Sequence, residues 1–374
     1  MTVKAAVRSV PRRKRGPIWV VIEAMVGLVV LAPLLLAVVG VVTAAGGMAM
    51  YATDLVANWA LQIVVAGGVA GLLMCVVKLR GAGVAVLLVS GLLAAMVMPS
   101  YRGAEEAGAA GGEVLRVVSY NTRYRSKAEN FVEWVLEEEP HLIVLLEAPG
   151  AGLEREPRLR ERYEVLIEPV PGMQWPVHVL SRIGGEVVGM RERSREFFQS
   201  FSARRNVRFA WGGSEVLLTA VHFASPRSVA TWRQALGEVE RDSTVIGDYL
   251  ASHPGSSVVV MSDVNSTPTA AVHRRFERMS GLRGWAEMFS GTWPAWLPRF
   301  AGVAIDRAWT SEGLRVVRME VGPRDDSDHR PILVDIEVVG GAEDGLEGVG
   351  DSADETDAQT DSYLWWTSQS FASS

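Results

Sequence analysis

Residues 262–268 read SDVNSTP and directly follow the apolar run SVVVM at 257–261. A short apolar run rich in β-branched residues and bounded by turn residues reads as a buried strand. This one ends on an acid and an amide two positions apart, and side chains two apart on an extended segment point to the same side. Asp263 and Asn265 therefore reach into one shared volume at the strand's C-terminal end. There a carboxylate can take a proton from water, and an amide can donate to an oxygen that gains negative charge. Taken alone, the same residues also suit an Asx-type turn that only leads into a helix after Pro268.

The pair has company. Asn121 follows LRVVSY, Glu147 follows HLIVLL, His222 closes LLTAVH, Asp328 and His329 stand in SDHRPI before the last strand, and Asp306 lies in AIDRAW. A hard divalent cation such as Mg²⁺ takes oxygen ligands, usually one or two carboxylates plus substrate phosphate and water. Glu147 and Asn121 suit that role. Zinc suits the set less, because this part of the chain has no cysteine and no His-x-x-x-His pair. Water attacking a phosphoester needs a base, donors for the phosphoryl oxygens and a charge near the leaving oxygen. Asp263, Asn265, His222, His329 and the metal supply these, and Asp306 is the candidate acid for orienting one histidine.

LRVVSYNT, LIVLLE, AVHFASP, VMSDVNSTP, AIDRAWTS and SDHRPI, in that order over residues 115–338, resemble the endonuclease/exonuclease/phosphatase superfamily. That is the metal-dependent fold of pancreatic deoxyribonuclease, apurinic endonucleases, sphingomyelinases and inositol-polyphosphate 5-phosphatases. The resemblance implies an α/β (α+β) four-layer sandwich, two mixed β-sheets flanked by helices, with a site at one edge. It implies that Asn121 and Glu147, with Asp328 nearby, hold Mg²⁺ or Mn²⁺. By similarity Asp263 activates water, Asn265 fixes the phosphate, His222 and His329 bracket the scissile group, and Asp306 orients a histidine. Two positions depart from the family pattern. His141 stands where Asp is usual after Pro140, and His178 stands where a small residue is usual; the latter reads as a histidine packed in a strand. Arg182, Arg204 and Arg205 are candidates for phosphate contact.

The segment before this region is different in kind. Residues 18–42, 55–77 and 82–98 are each apolar and long enough to be read as transmembrane helices. Arg8, Arg12, Arg13, Lys14 and Arg15 flank the first, Lys78 and Arg80 lie between the second and third, and the loop between the first two carries no basic residue. The positive-inside rule then places the N-terminus in the cytoplasm and everything after Met98 outside it. The expected organisation is a basic cytoplasmic N-terminus (1–17), a three-helix anchor (18–98), a flexible linker (99–112), a catalytic domain (113–339) and an acidic disordered tail (340–374). The expected location is a bacterial inner membrane. Glu23 near the cytoplasmic end of the first span is read as reaching the interface or Arg15. Gly67 and Gly71 have the spacing of a close helix contact. Cys75, the only cysteine, falls in the second span, so no disulfide holds the outer domain.

Strands are expected at 115–119, 142–146, 177–181, 216–222, 257–261 and 332–338. Helices are expected from Ser126, spaced as a capping box with Glu129, to Glu139; from after Pro226 to near His253; and from a Thr267 cap with Pro268 at the first helical position to before Gly281. His253 and His273 read as helix-end and helix-surface residues.

Substrate is less sharply indicated. Residues 113–338 carry 28 basic against 31 acidic residues, a net of −3. That balance does not mark a non-specific DNA binder, although Arg191, Arg193, Arg195, Arg204, Arg205 and Arg208 offer a local basic group. The loop FSGTWPAWLPRFAG (289–302) sets Trp293, Trp296, Leu297 and Phe300 among turn residues, which suits packing on the core, a lipid-linked substrate or a membrane surface. The expectation is a membrane-anchored, Mg²⁺-dependent phosphoesterase whose partners are the lipid bilayer and a nucleic acid, phospholipid head group or inositol phosphate. No feature calls for an obligate protein partner. The competing reading is a catalytically silent surface binding module of the same fold.

Overall fold

A computed structural model describes residues 17–48, 50–106, 113–125, 127–148, 152–168, 175–188 and 204–339. The expected Ser126 cap, the basic residues before Pro17, Arg191, Arg193, Arg195 and the acidic tail with Trp365 and Trp366 lie outside these residues.

In chain order the elements are α1 (Pro17–Ala45), α2 (Tyr51–Ala57), α3 (Ala60–Val76), α4 (Arg80–Val97), β1 (Val114–Asn121), α5 (Glu129–Glu138), β2 (Leu142–Leu146), α6 (Pro157–Arg160), β3 (Glu164–Ile167) and β4 (Val177–Ser181). There follow β5 (Glu186–Val187), β6 (Arg205–Trp211), β7 (Ser214–His222), α7 (Val229–Ser252), β8 (Ser257–Asp263), α8 (Ala271–Ser280), β9 (Arg283–Trp285), β10 (Asp306–Thr310), β11 (Leu314–Val321) and β12 (Ile332–Val338). Among the described residues two six-stranded sheets form, ordered β11-β12-β1-β2-β4-β3 and β5-β6-β7-β8-β10-β9. Each is mixed around one parallel pair, β1 with β2 and β7 with β8. Leu115, Val117, Val144 and Leu146 of one sheet meet Leu218, Val259, Met261 and Ala308 of the other in a fully apolar layer. The outer face of the first sheet takes Phe131, Val132 and Val135 of α5, and that of the second takes Val239 and Ile246 of α7 with Phe276 of α8. This is the four-layer sandwich expected from the family motifs.

The sandwich places its chemistry at one edge. Parallel neighbours end on the same side, so β1 and β2 deliver Asn121 and Glu147 together, and β7 and β8 deliver His222 and Asp263. β10 runs antiparallel to β8 in a register that sets Asp306 opposite Asp263. β12 is antiparallel to β1 with Ile332 opposite Ser119, so His329 precedes it at that same edge.

Among the described residues two helices, α1 and α4 with its following turn, are long and apolar enough to cross a membrane. The expected second span is broken: α2 and α3 meet at a bend of 67° around Asn58 and Trp59. Gly71 and Gly83 let α3 and α4 approach closely, since a Cβ on Gly71 would fall 2.8 Å from Leu87 Cγ and one on Gly83 would fall 2.8 Å from Gly71 O. Glu23 accepts from the N–H groups of Gly81 and Ala82 at 2.9 and 3.2 Å, and so caps α4.

The short helix α2 is turned toward the sandwich. Asp54, 3% exposed, accepts from Trp232 Nε1 of α7 at 2.8 Å and from Ala271 N, the first helical residue of α8, at 2.6 Å. Asn58 Oδ1 accepts from Thr267 N at 2.7 Å, and Thr269 Oγ1 donates to Ala57 O at 2.6 Å. This corrects the expected start of α8: Thr267 is held by Asn58 in a turn, the helix begins at Ala271, and its N-terminal N–H is capped from α2. The expected flexible linker is bonded over its first part, where Ala286 N donates to Arg102 O and Glu105 N to Val316 O, each at 2.8 Å; residues 107–112 lie outside the described set. Asp54→Ala leaves two buried donors unpaired, at about 1–3 kcal/mol each. The expected result is a lower thermal unfolding midpoint for the detergent-solubilised chain, and an unchanged midpoint would contradict this role.

Candidate active site

The strand ends build the site from short polar side chains on stiff supports. Asn121 Nδ2 donates to Glu147 Oε1 at 3.1 Å and to Asp263 Oδ2 at 2.9 Å, tying the two sheets together. Glu147 has left β2 with φ of 50°, a left-handed conformation held by Thr122 Oγ1 and Tyr124 N, which both donate to its carbonyl oxygen at 2.9 and 2.8 Å. Arg123 (φ 48°), Tyr124 (φ 60°) and Asn265 (φ 50°) share that region. Such backbone is unfavourable for Glu, Arg and Tyr and tolerated by Asn, and its concentration here follows from the tight turns that aim the strand-end side chains inward. Asn265 is fixed twice: its N–H donates to Asp263 Oδ1 at 2.8 Å and its Nδ2 to Phe223 O at 3.0 Å.

Two histidines flank Asp263. His222 Nε2 lies 3.0 Å from Glu147 Oε1 and 3.4 Å from Asp263 Oδ2, with its ring T-shaped against that of Trp175. His329 Nε2 lies 3.7 Å from Asp263 Oδ2, and its Nδ1 is 2.9 Å from Asp306 Oδ2. The charges support one another. Burial works against a charged His222, but Asp263 and Glu147 raise its pKa to about 10. Burial likewise opposes His329, which Asp306 and Asp263 raise to about 9. Burial opposes an ionised Asp263 as well, but His329, His222 and the Asn265 N–H hold it at about 2. Burial opposes an ionised Glu147 too, yet His222 and the Asn121 amide keep its carboxyl below the usual carboxylate range. Asp306, expected to orient one histidine, is placed beside His329 Nδ1.

Glu147, His222, Asp263, Asn265 and His329 open onto a cavity of about 800 Å³. Arg123, Tyr124, Trp175, Arg227 and Gln234 line it with them, and none of these was singled out from the sequence. A signal was available for two: Arg123 stands two residues beyond Asn121, and Arg227 five beyond His222. The Arg227 guanidinium has no side-chain partner among the described residues, whereas Arg123 Nη1 reaches Asp328 Oδ2 at 3.0 Å. Asp328 also accepts from Trp293 Nε1 at 3.2 Å, which turns it toward the cavity rim.

The arginines expected to contact phosphate are placed elsewhere. Arg182 follows β4, which runs antiparallel to β2, so it lies at the opposite end of the sheet from Glu147, 3.9 Å from Glu139. Arg204 is buried against Asp242 of α7 at 2.6 Å, and Arg205 Nη1 donates to Arg204 O at 2.8 Å. None of the three lines the cavity. His178 is buried in β4, 3.8 Å from Glu154, as read from the sequence. His273 corrects the reading of a helix-surface residue: it is 2% exposed, with Nδ1 2.8 Å from Arg307 Nη1, because Arg307 in β10 is itself buried and needs acceptors. On a phosphodiester, Arg227→Ala is expected to lower kcat/KM by roughly tenfold or more, the scale of one charge-assisted hydrogen bond, and Arg182→Ala by less than about twofold. Steady-state kinetics of the two variants decide it.

The donor set fits a hard divalent cation. Glu147, His222 and Asp263 bring one ligand atom each within 4.8 Å of the others, and Asp263, Asp306 and His329 do the same. A half-turn of the Asn121 amide would bring its oxygen to face Glu147 as a neutral ligand, at the cost of the bond that Oδ1 now accepts from Arg123 N at 2.9 Å.

The sequence of residues 118–329 matches the Endonuclease/Exonuclease/phosphatase family, a span of more than half of the 374-residue chain. The chain belongs to that family. Members of the Endonuclease/Exonuclease/phosphatase family are metal-dependent hydrolases of phosphoester bonds, nucleases and phosphatases among them. No curated protein matches the sequence. Among solved structures the chain is similar to D. rerio TDP2 complexed with single strand DNA product, at 13% identity and a TM-score of 0.47 over 60% of this chain and 99% of that one. It is also similar to an endonuclease/exonuclease/phosphatase from Bacteroides vulgatus, at 15% identity and 0.47 over 60% and 99%. A third is the human Nocturnin catalytic domain with bound sulfate anion, at 16% identity and 0.45 over 60% and 93%.

Proposed function

We propose that this chain is a membrane-anchored, Mg²⁺-dependent phosphoesterase that uses activated water on the extracytoplasmic side of a bacterial inner membrane. The observation that carries the reading is the convergence of Glu147, His222, Asp263 and His329 on one cavity, with Asn121 bonded to Glu147 and Asp263 and Asp306 bonded to His329 behind them. A silent binding module has no chemical need for a buried carboxylate held ionised between two histidine cations. Glu147 and Asn121 would hold the cation, with Asp328 at the rim. When bound, the cation polarises the phosphoryl oxygens and offsets charge on the leaving oxygen.

The chain's own residues supply the rest. Asn265 donates to a phosphoryl oxygen, and Arg227 and Arg123 add charge at the mouth. The water oxygen bonds to phosphorus, its proton passes to Asp263, the ester P–O bond breaks, and the leaving oxygen takes a proton from one of the two imidazoliums. Asp263 is a weak base at a pKa of about 2, so it accepts the proton late, once bonding to phosphorus has made the water acidic. Asp306 acts through His329, fixing its Nδ1 so that Nε2 faces the reacting group.

The membrane part of the reading is supported by charge and geometry. Lys78 and Arg80 lie at one end of the helices, and Ala45, Asp54 and Gln62 at the other end contact the sandwich. The deciding experiment is hydrolysis of bis-p-nitrophenyl phosphate by the solubilised full chain with Mg²⁺, with Mn²⁺ and with chelator. Metal-dependent turnover is expected. Absence of turnover on this and other phosphoesters favours the silent module.

A further inference from the structure

The catalytic cavity does not end at the sandwich. A second cavity of about 190 Å³ shares Ser225, Arg227, Asn265 and Trp293 with it and is lined further by Leu55, Asn58 and Trp59. Those three residues belong to α2 and to the break before α3, so the anchor itself builds a wall of the site. The shared residues are mostly polar. Beyond them the lining turns apolar, with Leu55, Trp59, Val303 and Ile305. A phosphoester whose phosphate sits between Asn265 and Arg227 therefore has a greasy exit on its anchor side and a polar one toward Gln234 and Thr231.

The exit also leads somewhere apolar. Trp59 is 37% exposed at the junction of α2 with α3, and Trp296 and Phe300 are 64% and 65% exposed on the loop whose Gly302 carbonyl accepts from Gln62 Nε2 of α3 at 2.6 Å. Exposed aromatics beside the ends of helices apolar enough to cross a bilayer sit where such rings are favoured, at the interface between lipid and water. Asp54, Asn58, Thr269 and Gln62 lock this geometry, so the mouth is held at a fixed height above the helices.

We propose that the substrate is a lipid phosphoester, with its phosphate in the catalytic cavity and its hydrocarbon chain leaving through the Leu55–Trp59 annex toward the bilayer. This rests on the phosphoesterase and membrane readings above and narrows them to one substrate class. Chain burial in the annex rewards each methylene, and the polar head group projects into the larger cavity on the side of Gln234.

The test uses the full chain in lipid nanodiscs with Mg²⁺ and the methyl, butyl and octyl p-nitrophenyl phosphates, diesters that share one leaving group. The expected result is kcat/KM rising at least ~10-fold from methyl to octyl, since each methylene taken from water favours binding several-fold. In Leu55→Ser and Trp59→Ala the octyl-to-methyl ratio falls to within about threefold of unity, while the volume-conserving Leu55→Ile keeps it. The ratio is read because a variant that folds poorly loses both substrates alike. A flat chain-length series in the wild-type chain overturns the proposal. So does a steep series that survives both variants, which places the chain elsewhere, or faster hydrolysis of thymidine 5′-p-nitrophenyl phosphate than of the octyl ester, which favours a nucleic-acid substrate. Metal-dependent hydrolysis of the methyl ester in any of these cases leaves the phosphoesterase reading standing; its absence, with every ester inert, removes both.

Discussion

Asp263→Asn is expected to lower kcat on a phosphodiester by roughly 10³-fold, about 4 kcal/mol of transition-state stabilisation, with little loss of fold. The substitution is nearly isosteric. Its Oδ1 still accepts from Asn265 N, and the cost to the fold is the one contact that Asn121 Nδ2 now makes at 2.9 Å. What disappears is the negative charge that faces both His222 and His329. Neither histidine then keeps its full stabilisation as a cation, so the variant loses its proton acceptor and also weakens its two donors. Circular dichroism and the unfolding midpoint separate this from misfolding. A variant that retains more than about a tenth of wild-type turnover places the base elsewhere.

Much of this arrangement was legible in the sequence because it rests on local rules. Strands β2, β4 and β12 match the apolar runs at 142–146, 177–181 and 332–338 residue for residue, and the polar strand-end positions converge because parallel neighbours end together. The missed strands carry charge where alternation should be read. β10 contains Arg307, fully buried and paired with His273, and β11 alternates its apolar residues with Arg315 and Arg318, whose heads reach Glu337 and Glu138. A long cation folded onto a distant carboxylate looks like a solvated residue until its partner is known. The same limit hid the start of α8, whose cap is Asp54, 217 positions earlier in the chain, and the break in the second apolar helix, whose bend serves contacts with Thr267 and Thr269. Arg182 lies away from the cavity for a topological reason, since only strand direction says which end of the sheet an arginine occupies. Arg204 and Arg205 stand at the start of β6 on the site's own edge, Arg205 opposite Ala220, but Arg204 turns to a buried pair with Asp242 of α7 and Arg205 donates to the Arg204 carbonyl.

Glu147→Gln is expected to fail in a different way from Asp263→Asn, and the contrast separates a metal ligand from a proton acceptor. Removing the carboxylate weakens cation binding, so the concentration of Mg²⁺ or Mn²⁺ giving half-maximal turnover is expected to rise by roughly 100-fold, at the upper end of what supporting residues of metal sites show. Turnover should recover substantially at saturating Mn²⁺, because Asp263, Asn265 and His329 remain in place and the side-chain amide carbonyl introduced by the substitution still offers a weak oxygen. His222 keeps Asp263 as a counter-charge at 3.4 Å after losing Glu147 at 3.0 Å, so the fold and the polarity of the pocket survive. Asp263→Asn, by contrast, should not be rescued at any metal concentration, since added cation restores no base. Metal titrations of both variants under chelator-buffered conditions read this directly. If Glu147→Gln shows the wild-type metal requirement with a depressed plateau, Glu147 is not the ligand, and the cation belongs instead to the second cluster of Asp263, Asp306 and His329.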